Sequence, residues 1–180
     1  MDLEFGTDPA DLDRLIEELQ KLAKWTTDEN RLAACSLPIS RWSVSEQLDH
    51  LITVTMLNLK AIKILRLGRG QPPSSGLNAA GKMVLELGQI PLGAAQAPAY
   101  AQPTAGRSAV ELETLRLKVH LMCEDLIGDY SRIDSSGQVL RHFAVGEMGA
   151  RQWLRFALVH SRHHVAIVER ILERTGASSG

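Results

Sequence analysis

Apolar residues recur at spacings of three and four through four stretches of this chain, and this period constrains the fold more than any other feature. The period matches one face of an α-helix, so it predicts four amphipathic helices of roughly 20 residues each. No strand is expected, because the apolar residues keep helical spacing and aromatic residues make up only 4% of the chain. The predicted helices begin at the Thr7-Asp8-Pro9 start signal, Ser43, Ser108 and Gly149, and the last three end near Leu67, Ile127 and Arg174.

A long connection, residues 69–107, separates the second and third predicted helices. A connection of this length is usually functional or disordered, and we interpret it as a lid across the helices. Its apolar residues Met83, Val84, Leu85, Leu87 and Ile90 indicate a short helix. The sequence therefore predicts an all-α protein, a four-helix bundle with a long crossover connection between helices two and three. Residues 1–175 are expected to form one domain, and residues 176–180 a flexible tail.

Charge and cysteine content narrow the class of protein. The formal net charge is −1 and no block of Lys or Arg occurs, so nucleic acids and anionic membranes are disfavoured as partners. Cys35 and Cys123 are far apart and in no metal-binding spacing, so we expect two buried free thiols. Neither a signal peptide nor an apolar run of membrane-spanning length is visible, so the expected location is the cytoplasm.

Two histidines face the core side of the fourth predicted helix. His160 and His164 belong to a seam with apolar residues at spacings of three and four, whereas the charged residues fall on the opposite side. On the second helix, His50 shares an arc with Val54 and Leu57, and its neighbour Asp49 is expected to turn outward. The seam of the fourth helix consists of Trp153, Ala157, His160, His164, Ile167 and Ile171.

Three buried imidazoles suggest a metal site. A buried imidazole needs a partner for each ring nitrogen, and a divalent cation bound by His50, His160 and His164 would satisfy one nitrogen on each ring. Such a site keeps an open position, in which a bound water or thiol ionises near neutral pH. The alternative is that these histidines are core residues, each hydrogen-bonded to the backbone.

The remaining polar candidates carry weaker signals. His163 lies at the boundary of the seam, so it is at most a neighbour of the site, and His142 precedes the fourth helix with structural capping as its expected role. His120 is expected to be solvated. Glu147 and Glu86 are the nearest candidates for a general base, although solvated surface is the simpler interpretation of both. We therefore assign no catalytic residue.

These motifs resemble the DinB-like superfamily. The resemblance rests on Trp42-Ser43-Val44-Ser45-Glu46-Gln47-Leu48-Asp49-His50-Leu51, Trp153, His160-x-x-His163-His164, Ile90-Pro91-x-Gly93 and Ala97-Pro98. It implies a four-helix bundle that holds a divalent metal on His50, His160 and His164, in an uncharacterised branch related to bacillithiol- and mycothiol-dependent transferases and isomerases. Two positions depart from the pattern: Ile167 replaces a glutamine common after the last histidine, and Phe143 replaces a proline.

Two functions from different classes follow. The first is a metal-dependent thiol S-transferase or hydrolase that acts on a small electrophile, with zinc or nickel as the expected metal and a small molecule or low-molecular-weight thiol as partner. The second is a non-catalytic bundle, with a structural metal or none, that serves as a stress-related dimerisation or interaction module. A homodimer is compatible with both.

Overall fold

The computed structural model describes residues 2–91, 93 and 96–177, and most of them are helical. The prediction of a helical protein is confirmed. The helices are α1 Asp11–Lys21, α2 Ala23–Thr26, α3 Glu29–Ala33, α4 Val44–Arg66, α5 Ala79–Leu87, α6 Ala109–Ile127 and α7 Ala150–Thr175, with 3-10 turns at Ala99–Ala101 and Tyr130–Arg132. Two short strands, β1 Leu140–His142 and β2 Gly146–Met148, complete the described structure.

The three longest helices begin where the sequence predicts. Ser43 caps α4 in a capping box: the Glu46 backbone N–H donates to Ser43 Oγ at 3.3 Å, and the Ser43 N–H donates to Glu46 Oε2 at 2.8 Å. Ser108 and Glu111 form the same box at the start of α6. Gly149 precedes α7, and its N–H donates to Gln152 Oε1 at 3.1 Å. Hydrogen bonds to side chains three residues away in the sequence therefore define where these helices begin.

The N-terminal third differs from the prediction. The first helix is 11 residues long rather than about 20, because a turn at Leu22 separates α1 from α2. The loop expected between Thr27 and Trp42 contains the additional helix α3, whose first N–H groups are capped by the Asp28 carboxylate. Helices of four and five residues are too short to produce a visible apolar period.

The long helices bury one continuous apolar core. Helix α4 packs against both α6 and α7, and α1 contacts the same two helices. Fully buried leucines line the interior from every side, Leu15, Leu19, Leu48, Leu51 and Leu112 among them. Apolar residues of α7 that lie outside the histidine seam, Leu154, Leu158, Val165 and Leu172, are buried in the same core. They are packing residues within the fold.

The absence of strands was a wrong expectation. Strands β1 and β2 form an antiparallel hairpin directly before α7, with Leu140 opposite Met148 and His142 opposite Gly146. Each strand has only three residues, too few for an alternating pattern to be recognised in the sequence. Gly146 adopts a positive φ of 93°, and a Cβ there would lie 2.6 Å from the Gly76 carbonyl oxygen, so the hairpin depends on this glycine.

The Glu147 carboxylate binds the long connection beside the backbone hydrogen bonds that join Gly76 and Asn78 to the hairpin. Glu147 is 1% exposed, so its interpretation as solvated surface was wrong. It accepts hydrogen bonds from the N–H groups of Ser74, Ser75 and Gly76 at 2.8 to 3.0 Å and from the Ser74 hydroxyl at 2.6 Å. The Ser74 hydroxyl, followed by these backbone donors, holds the pKa of Glu147 well below its usual value. Glu147 therefore stays ionised as a structural acceptor.

The connection contains the short helix predicted for it, α5, which contacts α7. Its action as a lid stays a prediction, as does the single domain of residues 1–175. At the C-terminus Gly176 ends α7 with a left-handed φ of 71°. Of the tail predicted at 176–180, residues 178–180 lie outside the described residues.

Two further expectations concern the thiols and the membrane. Cys123 is fully buried, and burial raises its thiol pKa to about 12. Cys35 is exposed rather than buried, because it lies in the irregular segment between α3 and the turn at residues 37–39. Both thiols are free. Among the described helices, none combines the length and apolar character that a membrane crossing requires.

Candidate metal centre

The structure brings the three predicted histidines together. One ring nitrogen from each of His50, His160 and His164 lies within 4.8 Å of the others, and all three side chains are buried. His50 comes from the second turn of α4, whereas His160 and His164 lie on successive turns of α7. The seam of α7 places the i and i+4 imidazoles on one face, and packing of α4 against α7 adds the third.

Hydrogen bonds assign the proton of two of the three rings. His50 Nδ1 lies 2.6 Å from the carbonyl oxygen of Ala101, which can only accept, so Nδ1 carries the proton and Nε2 keeps its lone pair. His164 Nδ1 lies 2.6 Å from Gln47 Oε1. The other end of that amide, Nε2, donates to Ser40 Oγ at 2.8 Å, so Oε1 faces the ring and accepts from Nδ1. Both histidines therefore present an Nε2 lone pair.

His160 completes the set, and its one hydrogen-bond contact among the described residues is with His50. Its Nε2 lies 3.2 Å from His50 Nε2, and its Nδ1 is buried without a hydrogen-bond partner. Two nitrogens bound at about 2.05 Å to one tetrahedral metal ion are about 3.3 Å apart, so the spacing of these two atoms suits a shared ion. Among the described residues His160 Nε2 meets only His50 Nε2, and Nδ1 stays without a partner whether or not Nε2 binds an ion. The donor set therefore fits a divalent metal ion.

Burial keeps the three rings in the neutral form that binds metal. Desolvation lowers the pKa of His50, partly offset by its hydrogen bond to Ala101. Desolvation, followed by the proximity of the other histidines, lowers the pKa of His160 and His164 well below the ordinary value. At neutral pH all three imidazoles are therefore uncharged and available as ligands.

Asp49 does not point to solvent, contrary to the expectation from the helical wheel. It is 2% exposed, and its carboxylate accepts from Arg107 Nε at 2.5 Å and from the Thr104 N–H at 2.7 Å. The end of the long connection covers the face of α4 that would otherwise meet water. Asp49 thus fastens residues 104–107 beside the 3-10 turn whose Ala101 carbonyl orients His50.

The three histidines line a cavity of about 400 Å³. This volume lies within the range of small-molecule sites. The hairpin and the long connection supply much of the wall, together with α4 and α7. Its apolar and aromatic residues include Trp42, Val54, Leu57, Met83, Val84, Ile90, Pro98, Tyr100, Phe143, Trp153 and Phe156. The indole of Trp42 lies 4.9 Å from the His50 ring, centroid to centroid.

The secondary candidates fall into two groups. His142 and His163 both line the cavity. His142 Nδ1 accepts from the Ala144 N–H at 3.2 Å, which is the structural role expected, and desolvation lowers its pKa to about 4. Desolvation also lowers the pKa of His163, while a hydrogen bond to the Ile90 carbonyl acts in the opposite direction.

Glu147, Glu86 and His120 lie outside the cavity wall that the structure describes. Glu147 is occupied by the backbone of the connection, and Glu86 is exposed on α5, as expected. His120 is half-buried rather than solvated, because it lies at the edge of the buried face that contains Val119 and Cys123. Neither carboxylate is therefore placed to act as a general base at the histidines.

Sequence reasoning missed two groups that orient the ligands. Gln47 lies one turn before His50 on α4, so its spacing was a usable signal that the side chain faces the same cluster. In this chain the glutamine beside the histidines comes from α4. In the family pattern that the sequence resembles, a glutamine is common on the last helix, at the position that Ile167 occupies here. The Ala101 carbonyl gave no signal, because a backbone atom has none in the sequence.

The fold and the site together define a helical protein with a buried three-histidine cluster beside a cavity of small-molecule size. A model of the DinB superfamily matches residues 4–168. The chain belongs to this superfamily, as its sequence motifs suggested. Neither the curated proteins nor the solved structures gave a match.

Proposed function

We propose that this protein binds one divalent metal ion through His50, His160 and His164, and that it is a metal-dependent enzyme acting on a small electrophile. Thiol S-transfer and hydrolysis are the two reactions considered. The observation that carries the proposal is the position of three neutral imidazoles in the wall of a cavity large enough for a small molecule. A structural ion would need no adjoining cavity.

The residues of the chain bind, orient and exclude water. His50, His160 and His164 would hold the ion through three neutral nitrogens, and the ion would supply a positive charge that lowers the pKa of a thiol or water bound to it. The Ala101 carbonyl and Gln47 Oε1 hold the His50 and His164 rings in the tautomer that presents Nε2. His142 accepts at Nδ1, so its neutral ring carries a proton at Nε2 that it can donate to a bound molecule.

The proposal extends to the finer features of fold and setting. We propose that α1, α4, α6 and α7 form the four-helix bundle of the superfamily, with residues 69–107 as the crossover connection. The metal is zinc or nickel, since imidazole ligands suit both. The protein acts in the cytoplasm, alone or as a homodimer, on a small molecule with or without a low-molecular-weight thiol.

Elemental analysis of the untagged protein tests metal binding. We expect close to one zinc or nickel per chain in the parent, and loss of that metal in His50→Ala and His164→Ala. His120→Ala is the matched control, because this histidine lies on α6 away from the cluster. Circular dichroism establishes that all variants are folded. A parent that stays metal-free after reloading with either metal would contradict the proposal.

A cobalt-substituted protein then separates the enzyme from the non-catalytic alternative. An open coordination position accepts azide or an external thiol and changes the visible spectrum of cobalt. We expect such a change for the parent. A cobalt spectrum that neither ligand alters would instead favour a closed structural site.

A further inference from the structure

The mouth of the cavity is bordered by exposed apolar side chains. Three residues that line the cavity also meet solvent: Met83 of α5 is 41% exposed, Tyr100 of the first 3-10 turn 67%, and Phe143 of the hairpin turn 60%. A residue that both lines a cavity and meets solvent lies at its opening. Exposed apolar groups that come from three separate elements and border one cavity indicate a ligand-binding surface.

The tip of the β1–β2 hairpin brings two rings to this opening. His142 and Phe143 are consecutive residues, and their ring centroids lie 4.6 Å apart. His142 is half-buried and also contacts Trp153 and Phe156 of α7, at centroid distances of 5.5 and 4.8 Å. Phe156 in turn lies 6.1 Å from the His160 ring. A row of rings therefore leads from the mouth of the cavity to the histidine cluster.

His142 carries a hydrogen-bond donor whose position is defined. The Ala144 N–H donates to Nδ1 at 3.2 Å, so the proton of the neutral ring is on Nε2. Because Nδ1 faces the backbone of the hairpin itself, Nε2 lies on the side of the ring that points away from this backbone. Nε2 is not closed off from solvent, and it has no hydrogen-bond partner within the part of the chain that the structure describes. Since the ring lines the cavity, this N–H can reach a bound molecule.

We propose that the hairpin tip selects the substrate, an aromatic molecule with a carbonyl group next to its ring: the carbonyl oxygen accepts from His142 Nε2, and the aromatic ring packs on Phe143. The two side chains are neighbours, so the acceptor and the ring must be neighbours in the ligand as well. A carbonyl carbon is also an electrophile, the kind of group on which the proposed function acts. The inference rests on that function only for the reaction, because recognition by the hairpin tip needs no metal.

Three probes separate the two contacts. Acetophenone carries the ring and the carbonyl, α-methylstyrene has a methylene group in place of the carbonyl oxygen, and 2-butanone has an ethyl group in place of the phenyl ring. Dissociation constants are measured by NMR titration of the full chain at neutral pH, both as purified and after chelation. We expect acetophenone to bind at least about tenfold more tightly than 2-butanone, because it buries the larger apolar group. In the parent protein, the infrared carbonyl stretch of bound acetophenone is expected below its frequency in cyclohexane, since accepting a hydrogen bond lowers it.

Variants assign each contact to its residue. His142→Phe keeps a ring but removes the donor, so it is expected to weaken acetophenone about threefold to tenfold and α-methylstyrene less than about twofold. Phe143→Ala removes an exposed ring, so it is expected to weaken both phenyl ligands about threefold to tenfold and to leave 2-butanone unchanged. His120→Phe changes a histidine of α6 outside the described cavity lining and is the control, with all three dissociation constants unchanged. Circular dichroism establishes that the variants are folded.

The outcomes separate this inference from the metal site. Acetophenone that binds the parent and His142→Phe with equal affinity, or a carbonyl stretch in the parent that equals the cyclohexane value, would overturn the role of His142. Phenyl ligands that bind Phe143→Ala as tightly as the parent would overturn the role of Phe143, and a parent that does not bind acetophenone would overturn the substrate class. A protein that stays metal-free but binds the three probes as expected would overturn the proposed function alone.

Discussion

Replacing Gln47 by Leu isolates the contribution of the amide that orients His164. Gln47 is 2% exposed, and its Oε1 lies 2.6 Å from His164 Nδ1. Without this acceptor, the Nδ1 proton is buried without a partner when Nε2 binds metal, at a cost of about 1 to 3 kcal/mol. The metal affinity is therefore expected to fall about 10- to 100-fold, which corresponds to about 1.4 to 2.7 kcal/mol.

Competition with a chromophoric chelator for zinc measures this loss, and circular dichroism checks that the variant is folded. Gln47→Glu retains an acceptor oxygen and is expected to bind at least as tightly as the parent. Ser40→Ala removes only the partner of the Gln47 amide nitrogen, so its affinity should stay within about threefold of the parent. A folded Gln47→Leu variant that binds zinc as tightly as the parent would refute the reasoning.

Three further predictions concern stability, and urea unfolding measures each of them. Burial lowers the pKa of His142 to about 4 in the folded protein, against 6.5 in the unfolded chain. Between these values the unfolded state binds more protons, so the free energy of unfolding falls as the pH falls. The His142→Phe variant should therefore lose about 2 kcal/mol less stability than the parent between pH 7.5 and about pH 5. If the parent and this variant lose equal stability, the ring is not buried as described. A Cβ at Gly81 would lie 2.2 Å from a carbonyl oxygen of the hairpin, so Gly81→Ala should destabilise by at least about 1 kcal/mol, and an unchanged midpoint would argue against this packing. Arg107→Ala should cost about 2 kcal/mol by leaving the buried Asp49 with one donor fewer. Arg141→Ala, which removes an exposed partner, should cost less than about 0.5 kcal/mol, and similar losses in the two variants would contradict the difference in burial.

The long helices and the histidine cluster were predictable because each leaves a local pattern. Capping residues and a period of 3.6 define α4, α6 and α7, and the same period places His160 and His164 on one face. The helical period shows which residues share one face of a helix. It does not show whether a distant part of the chain covers the polar face on the other side. Asp49 illustrates this limit, because residues 104–107 bury it after α4 is complete.

The parts that sequence reasoning missed depend on pairing between distant residues. Glu147 and Ser74 are 73 positions apart, and no local pattern connects them. Strands β1 and β2 have three residues each, which is too few for an alternation of polar and apolar residues to be recognised in the sequence. The partners of His50 and His164 combine a backbone carbonyl from the connection with a glutamine from α4, so the ring orientation emerges only with the tertiary structure.

The Glu147 carboxylate holds the connection mainly through main-chain donors, with the Ser74 hydroxyl and the Gln71 amide as its two side-chain donors there. Backbone N–H groups are present whatever the side chain, proline excepted. Substitutions at Ser75 and Gly76 can therefore preserve the anchor as long as they avoid proline and keep the local conformation. Substitutions in this segment are therefore expected to be tolerated more often than a substitution of Glu147, whose carboxylate is the acceptor that all of these donors share.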